Sequence, residues 1–176
     1  MEDQMVTGRL SEVPDGLSVF VDANIFIYHF SGPTPLSSAC SAFLGRIEGG
    51  AIRGLTSTIV LVEVLHRLMI LEAAGVFQLP PRDALRYLKE HPQETKRLLA
   101  HQTSVSKIRE MGVEVVLVGV EDILRSNEIK QQHGLLTNDA ILVAVMERLG
   151  ASALASNDPD FQTVGTITLY RPTLGE

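Results

Sequence analysis

Five short apolar runs recur along the chain between segments of helical character, and this alternation restricts the possible folds more than any other feature. The runs occupy residues 17–22, 51–57, 113–119, 152–156 and 165–171. Short runs that are apolar throughout are typical of strands buried on both faces, and strands that alternate with helices form parallel sheets covered by helices. The sequence therefore predicts an α/β fold in three layers, with a mainly parallel five-stranded sheet.

Helical segments are predicted between these strands. They cover residues 24–30, 35–50, 59–74, 80–91, 92–111, 120–134 and 137–150. Ser57 or Thr58 is expected to cap the third of them and Thr137 the last, because a short hydroxyl side chain can accept a hydrogen bond from the first helical turn. Residues 76–111 contain no strand signal, so we expect an all-helical excursion packed on one side of the domain.

The length of 176 residues is natural for one domain, and no linker or internal repeat divides the chain. We expect residues 1–16 to be a lead-in and residues 17–176 to form the domain. A single cysteine, Cys40, excludes a disulfide within the chain and a cysteine-rich zinc site. No apolar run reaches the roughly 20 residues of a membrane span and no secretion signal is recognisable, so the expected compartment is the cytoplasm.

Bulk charge and common motifs exclude several classes of function. The chain has 21 acidic residues against 15 Lys and Arg, a net charge of −6, which does not by itself indicate a nucleic-acid-binding protein. The G-x-S-x-G motif of serine hydrolases and the G-x-G-x-x-G motif of dinucleotide-binding proteins are both absent from the sequence. The five histidines include no H-x-x-x-H pair that would suggest a zinc site.

Carboxylates and small polar side chains gather where the predicted strands end. Asp22 ends the first strand and Asn24 follows it, while the helix after the second strand carries Glu63. Asp139 lies at the start of the helix before the fourth strand, which itself ends in the sequence SNDPD, residues 156–160. Because ligands of open α/β sheets bind outside the carboxyl ends of the strands, we expect these groups to share one pocket.

Carboxylates that converge on one pocket repel one another unless a cation compensates their charge. Oxygen ligands without His or Cys favour Mg²⁺ or Mn²⁺, and such ions promote attack of water on a phosphate. The pattern therefore indicates metal-assisted phosphodiester hydrolysis. Each acid also has a purely structural explanation: Asp22 as a helix cap, Glu63 as an exposed helical position, Asp139 as a first-turn acid, and Asp158 with Asp160 as turn residues.

Four segments resemble, in order and spacing, the four acidic motifs of the PIN domain family. They are VDANIFIY (21–28), TSTIVLVEVLHR (56–67), LTNDAILVAVMERLG (136–150) and LASNDPDF (154–161). The resemblance covers residues 18–171, and within the family the chain looks most like the VapC-type toxins of toxin–antitoxin pairs. It implies a sheet with the strand order 3-2-1-4-5 and an endoribonuclease that depends on Mg²⁺ or Mn²⁺.

The resemblance also implies roles for individual residues. The acidic quartet that would bind the metal and carry catalysis is Asp22, Glu63, Asp139 and Asp158. Asp160 would be an accessory acid, Asn24 would orient Asp22, and Ser57 or Thr58 would support the site. Ser156 stands where the family usually has Thr, which keeps the hydroxyl group. The implied partners are an RNA substrate, a small antitoxin protein and a second copy of the chain in a homodimer.

Two features set the chain apart from a compact member of that family. The helical stretch 76–111 is longer and would suit a dimer surface, a clip for a partner or a substrate-selecting arm. The net charge of −6 means that RNA binding would depend on a local basic patch, whereas a basic antitoxin segment would suit an acidic pocket.

Two alternatives to a ribonuclease are considered. A phosphatase of the haloacid dehalogenase type needs a second acid two residues after the first, where this chain has Asn24, and it leaves Glu63 and Asp139 unexplained. A non-catalytic PIN-like module that binds a metal or a partner is the second alternative, and a cleavage assay would separate it from a nuclease.

Overall fold

The computed structural model describes residues 7–175 and contains one six-stranded parallel sheet. Its strands are β1 (Thr7–Arg9), β2 (Ser18–Val21), β3 (Arg53–Ser57), β4 (Glu114–Val116), β5 (Ala153–Ala155) and β6 (Thr168–Arg171). They lie in the order β1-β6-β5-β2-β3-β4, and every neighbouring pair is parallel. The five predicted strands are β2 to β6, and their order in the sheet is the expected 3-2-1-4-5.

The prediction of five strands is wrong by one, because β1 adds a sixth strand beside β6. Thr7 pairs with Leu169 and Arg9 with Arg171, so part of the expected lead-in joins the edge of the sheet. This strand is three residues long and carries no apolar run, and only its backbone pairing with β6 makes it a strand. The first six residues of the expected lead-in lie outside the described part of the chain.

Helices cover both faces of the sheet, as the pattern predicts. They are α1 (Ala23–Phe30), α2 (Ser37–Glu48), α3 (Thr58–Val76), α4 (Pro81–Glu90), α5 (Ser104–Glu110), α6 (Val120–His133) and α7 (Thr137–Leu149). The cap expected at Thr137 is wrong: Leu136 is the N-cap residue of α7, and Thr137 is the first residue of the helix. Ser57 is the N-cap residue of α3, but its side chain makes no capping hydrogen bond.

The predicted continuous helix over residues 92–111 is also wrong. Two 3₁₀ turns, Pro92–Arg97 and Ala100–Thr103, precede the short helix α5. Between them the backbone of Leu98 is extended, with φ −90° and ψ 103°, and its buried side chain joins a small apolar cluster with α3 and α4. Burial of this leucine stabilises the extended segment, since a fully buried leucine contributes roughly 1.5–3 kcal/mol.

The main core lies around β2, β5 and α7, and it fixes the frame of the site. Phe20 on β2 and Leu154 on β5 are completely buried, and every residue of α7 from Ala140 to Met146 is buried. The carboxyl ends of these two central strands lead directly to Asp22 and Ser156. Among the described residues, no helix is long and apolar enough to cross a lipid bilayer.

Candidate functional site

Asp22 lies at the centre of the site, between the end of β2 and the start of α1. Its side chain is only 8% exposed. Oδ1 accepts a hydrogen bond from the backbone N–H of Ala23 at 2.7 Å, which makes Asp22 the N-cap of α1. Oδ2 accepts hydrogen bonds from Asn24 Nδ2 at 2.7 Å and from Ser156 Oγ at 2.6 Å. The capping role is therefore real, and it holds the carboxylate in one orientation.

The hydroxyl of Ser156 connects the first and fourth acidic segments. Besides donating to Asp22, its oxygen accepts hydrogen bonds from Asn24 Nδ2 and from the backbone N–H of Asp158, each at 3.0 Å. Asp158 in turn accepts a hydrogen bond from the N–H of Asp160 at 2.9 Å, as turn residues do. Asn24 acts here as a donor to Asp22, which suits an orienting role and not that of a general acid.

The five predicted acids act on one another electrostatically. Burial raises the pKa of Asp22 to about 6, the charges of Glu63 and Asp158 add to this, and the hydrogen bonds from Ser156 and Ala23 oppose it. Burial also raises the pKa of Asp139 to about 7, with further contributions from the charges of Asp22, Asp158, Glu63 and Asp160. The charges of the other acids therefore reach Asp22 and Asp139, while Asp160 itself is exposed.

The two hydroxyl groups proposed at the start of α3 have different surroundings. Thr58 Oγ1 accepts a hydrogen bond from the backbone N–H of Val118 at 3.3 Å and so holds the segment after β4. Ser57 is fully buried, and its Oγ has no hydrogen-bond partner within residues 7–175. An unpaired buried hydroxyl costs free energy, so Ser57 has a donor and an acceptor left for a ligand or a water molecule.

The donor set fits a hard divalent cation in its chemistry. It consists of carboxylate oxygens, which are the ligands that such cations prefer. Burial and repulsion between the acids raise the pKa values of Asp22 and Asp139 above the ordinary 3.8. A cation would relieve that repulsion. The arrangement is not a closed cage: in the part of the chain that the structure describes, no group of three or more His, Cys, Asp or Glu could hold a metal ion as the side chains stand. Binding would therefore require side-chain rotation.

Sequence reasoning missed three residues that contact the site. Asn157 lies between Ser156 and Asp158 and hydrogen-bonds to Asn24, to Tyr28 and to Arg171. The signal available in the sequence was weak: Tyr28 follows Asn24 by four residues, which places both on one face of α1. No comparable spacing marks Arg171, since its contact depends on how β6 lies beside β5.

Comparison with known proteins adds a family and several similar folds. The model of the PIN domain family matches residues 19–167 of the chain. A toxin–antitoxin complex from Klebsiella pneumoniae is similar over 85% of this chain and 95% of its own, with 18% identity and a TM-score of 0.50. No curated protein matches the sequence significantly.

Two further solved structures have the same fold. VapBC2 from Rickettsia felis, bound to a DNA fragment from its promoter, is similar over 89% of this chain and 99% of its own, with 15% identity and a TM-score of 0.53. VapC20 from Mycobacterium tuberculosis, a toxin that cleaves the sarcin-ricin loop, is similar over 84% of this chain and 95% of its own, with 17% identity and a TM-score of 0.56.

Proposed function

Because this chain belongs to the PIN domain family, we propose that it is a metal-dependent endoribonuclease, the toxin of a type II toxin–antitoxin pair. The observation that carries the proposal is the carboxylate group around Asp22: burial, with added repulsion between the acids, raises the pKa of Asp22 to about 6 and that of Asp139 to about 7. Buried carboxylates that also repel one another destabilise the ionised site, and a cation or a cationic partner would relieve that cost. The substrate is RNA, cut by hydrolysis of its phosphodiester bonds.

In the proposed site, Asp22, Asp139 and Asp158 hold Mg²⁺ or Mn²⁺, and Glu63 binds it directly or through a water molecule. When bound, the cation polarises a phosphoryl oxygen and lowers the pKa of water. Asn24 and Ser156 direct their hydrogen bonds to Oδ2 of Asp22, while Oδ1 accepts only one and keeps a lone pair for a ligand.

Burial raises the pKa of Asp139 to about 7, so in the metal-free protein this carboxyl is about half protonated near neutral pH. Binding of a cation at Asp139 would therefore release a proton. Asp160 adds negative charge at the same site without direct contact to Asp22. By family analogy, the products carry 5′-phosphate and 3′-hydroxyl ends.

The proposal includes protein partners. Two of the similar structures, from Klebsiella pneumoniae and Rickettsia felis, contain a toxin and an antitoxin together, which supports a small antitoxin as partner. A basic antitoxin segment would suit the acidic group around Asp22. A homodimer has apolar side chains available to it, because Leu117 and Val120 are 76% and 68% exposed. We place this pair and its RNA substrate in the cytoplasm.

The second candidate function is a PIN-like module that binds a metal or a partner without turnover. The observation that favours it is the absence, among residues 7–175, of a ready-made group of three metal ligands. In this case the acids around Asp22 would bind a basic segment of a partner protein, and Asp22 would serve mainly as the N-cap of α1.

One experiment separates the two functions. Purified protein is incubated with total cellular RNA in Mg²⁺, in Mn²⁺ and in EDTA, beside the variants Asp22→Asn and Asp15→Asn. Asp15 is an exposed acid paired with Arg46 and provides a matched control. Cleavage that needs the metal, is lost in Asp22→Asn and persists in Asp15→Asn supports the ribonuclease. Equal behaviour of wild type and Asp22→Asn across structured and unstructured RNAs would rule it out.

A further inference from the structure

Asn157 is held from one side by two residues of α1. Its backbone N–H donates to Oδ1 of Asn24 at 3.0 Å, and its Nδ2 donates to the hydroxyl oxygen of Tyr28 at 3.1 Å. Asn24 and Tyr28 are four residues apart, so they project from successive turns of the same helix face. The helix that Asp22 caps therefore also holds the loop that carries Asp158.

Arg171 holds Asn157 from the other side. Its Nη2 donates to the backbone carbonyl of Asn157 at 3.1 Å and to the side-chain Oδ1 at 3.3 Å. The backbone N–H, backbone carbonyl, amide nitrogen and amide oxygen of Asn157 are thus all engaged. So complete a set of contacts is unusual for a residue in a loop outside a strand end, where water normally satisfies such groups.

The position of Asn157 in the chain gives these contacts their importance. The preceding residue, Ser156, donates to Oδ2 of Asp22, and the following residue, Asp158, is an acid of the proposed site. A shift of the Asn157 backbone would therefore displace both the donor that orients Asp22 and the backbone of Asp158. Holding Asn157 fixes the two carboxylates relative to each other.

We propose that Tyr28, Asn157 and Arg171 are positioning residues that hold residues 156–158 against α1, so that Asp22 and Asp158 can bind one divalent cation. This inference rests on the proposed function, because it assigns the three residues to the same metal-binding site. None of the three is a ligand, and they act through Asn24, Ser156 and the backbone of Asp158.

The charge of Arg171 offers a way to separate positioning from simple electrostatics. Arg171 is a cation beside a site that is proposed to bind a cation. If only its charge mattered, Arg171→Met would tighten metal binding, because a like charge would be removed. If it positions Asn157, the same substitution weakens metal binding. Tyr28→Phe removes the hydroxyl that accepts a hydrogen bond from Asn157, without any change of charge, and so tests the contact on the α1 side of Asn157.

The experiment measures Mn²⁺ affinity by titration calorimetry in the absence of RNA, and thermal unfolding in EDTA. Arg171→Met, Asn157→Leu and Tyr28→Phe are expected to weaken Mn²⁺ binding about 10-fold, as loss of groups that orient metal ligands commonly does. Arg171→Lys, which can still donate to the Asn157 carbonyl, should recover part of the affinity. The matched controls are Arg53→Met, in an exposed ion pair with Glu114, and Tyr87→Phe, on α4 against the small apolar cluster; both should bind like wild type.

The outcomes distinguish this inference from the proposed function. Variants that melt earlier in EDTA but bind Mn²⁺ within twofold of wild type, or an Arg171→Met protein that binds more tightly, would overturn the positioning role alone. Wild type that binds Mn²⁺ more tightly than the variants but cuts no RNA would leave positioning supported and reject the ribonuclease. Wild type that neither binds Mn²⁺ nor cuts RNA would overturn both.

Discussion

Ser156 donates a hydrogen bond of 2.6 Å to Oδ2 of Asp22, across 134 residues of sequence. The contact is possible because β2 and β5 are neighbours in the sheet and their carboxyl ends lie side by side. It joins a buried carboxylate to the loop that carries Asp158, and it lowers the pKa of Asp22 against the larger effect of burial.

Loss of this hydroxyl should move the pH dependence of cleavage. In Ser156→Ala the pKa of Asp22 rises further, by about one to two units, since a hydrogen bond to a charged group contributes roughly 1.5–3 kcal/mol. The acidic limb of the pH–rate profile should therefore shift upward. Ser156→Thr, which keeps the hydroxyl, should retain the wild-type profile, and an unshifted profile in the alanine variant would show that the hydrogen bond does not tune Asp22.

Stability of the metal-free protein should fall as the pH rises through the window set by Asp22 and Asp139. Their folded pKa values, about 6 and about 7, lie above the ordinary 3.8, so the folded state binds more protons than the unfolded chain between these values. The resulting stabilisation is complete below pH 3.8 and is lost as the pH passes about 6 and about 7. Urea unfolding in EDTA should give a free energy of unfolding at least about 2 kcal/mol lower near pH 8 than near pH 5 from these two groups.

Removal of one charge should stabilise the metal-free fold and abolish function. Asp139→Asn relieves repulsion with Asp22, Glu63 and Asp158, and we expect it to raise the free energy of unfolding by about 1–2 kcal/mol near pH 8. Its pH dependence of stability should be flatter than that of wild type, which controls for other titrating groups. Cleavage should fall by about 100-fold or more. A less stable variant with unchanged cleavage would contradict both expectations.

Asp22→Asn should gain less stability than Asp139→Asn. Asp22 accepts hydrogen bonds on both carboxylate oxygens, so an amide nitrogen at this position would face a donor on one side. Comparison of the two variants by urea unfolding in EDTA tests this difference. Equal stabilisation of both would mean that the hydrogen bonds to Asp22 contribute little compared with charge repulsion.

Divalent cations should stabilise the protein more strongly as the pH rises. Binding requires deprotonated carboxylates, so the increase in melting temperature with Mn²⁺ or Mg²⁺ should grow from about pH 5 to about pH 8 and disappear in EDTA. Asp15→Asn should behave like wild type and Asp139→Asn should show a much smaller increase. A metal-induced shift that is independent of pH would point to binding elsewhere.

Glu72 should be important for the helical excursion. Its carboxylate accepts hydrogen bonds from the backbone N–H groups of Leu99, Ala100 and His101 and contacts the His101 ring at 2.7 Å. Glu72→Ala leaves these donors without an acceptor and should destabilise the protein by about 1–3 kcal/mol, or roughly 2–4 °C in melting temperature for each kcal/mol. Cleavage per folded molecule should not change, and a melting temperature equal to that of wild type would contradict the role.

Local pattern was sufficient for most of the fold. The apolar runs at residues 17–22 and 152–156 form β2 and β5, because burial between the sheet and the helices removes side chains such as Phe20 and Leu154 from water. Parallel strands place their carboxyl ends on one edge, so the five acids could be predicted to meet there. Local pattern failed at β1, whose three residues are a strand only through pairing with β6, and at Leu98, which leaves the helix to be buried against α3 and α4.

Patterns in the sequence by themselves determined the α/β class and the set of acids near Asp22, because burial and strand direction are set by short-range apolar patterns. The order of the five strands was implied by the resemblance to the PIN domain family. Tertiary structure alone decided how those acids are held. Three features depend on contacts between distant segments. They are the hydrogen bond from Ser156 to Asp22, the hydrogen bonds of Asn157 with Arg171 and Tyr28, and the unpaired hydroxyl of Ser57. Such contacts follow from the exact position of neighbouring strands and helices, which no periodicity in the sequence records.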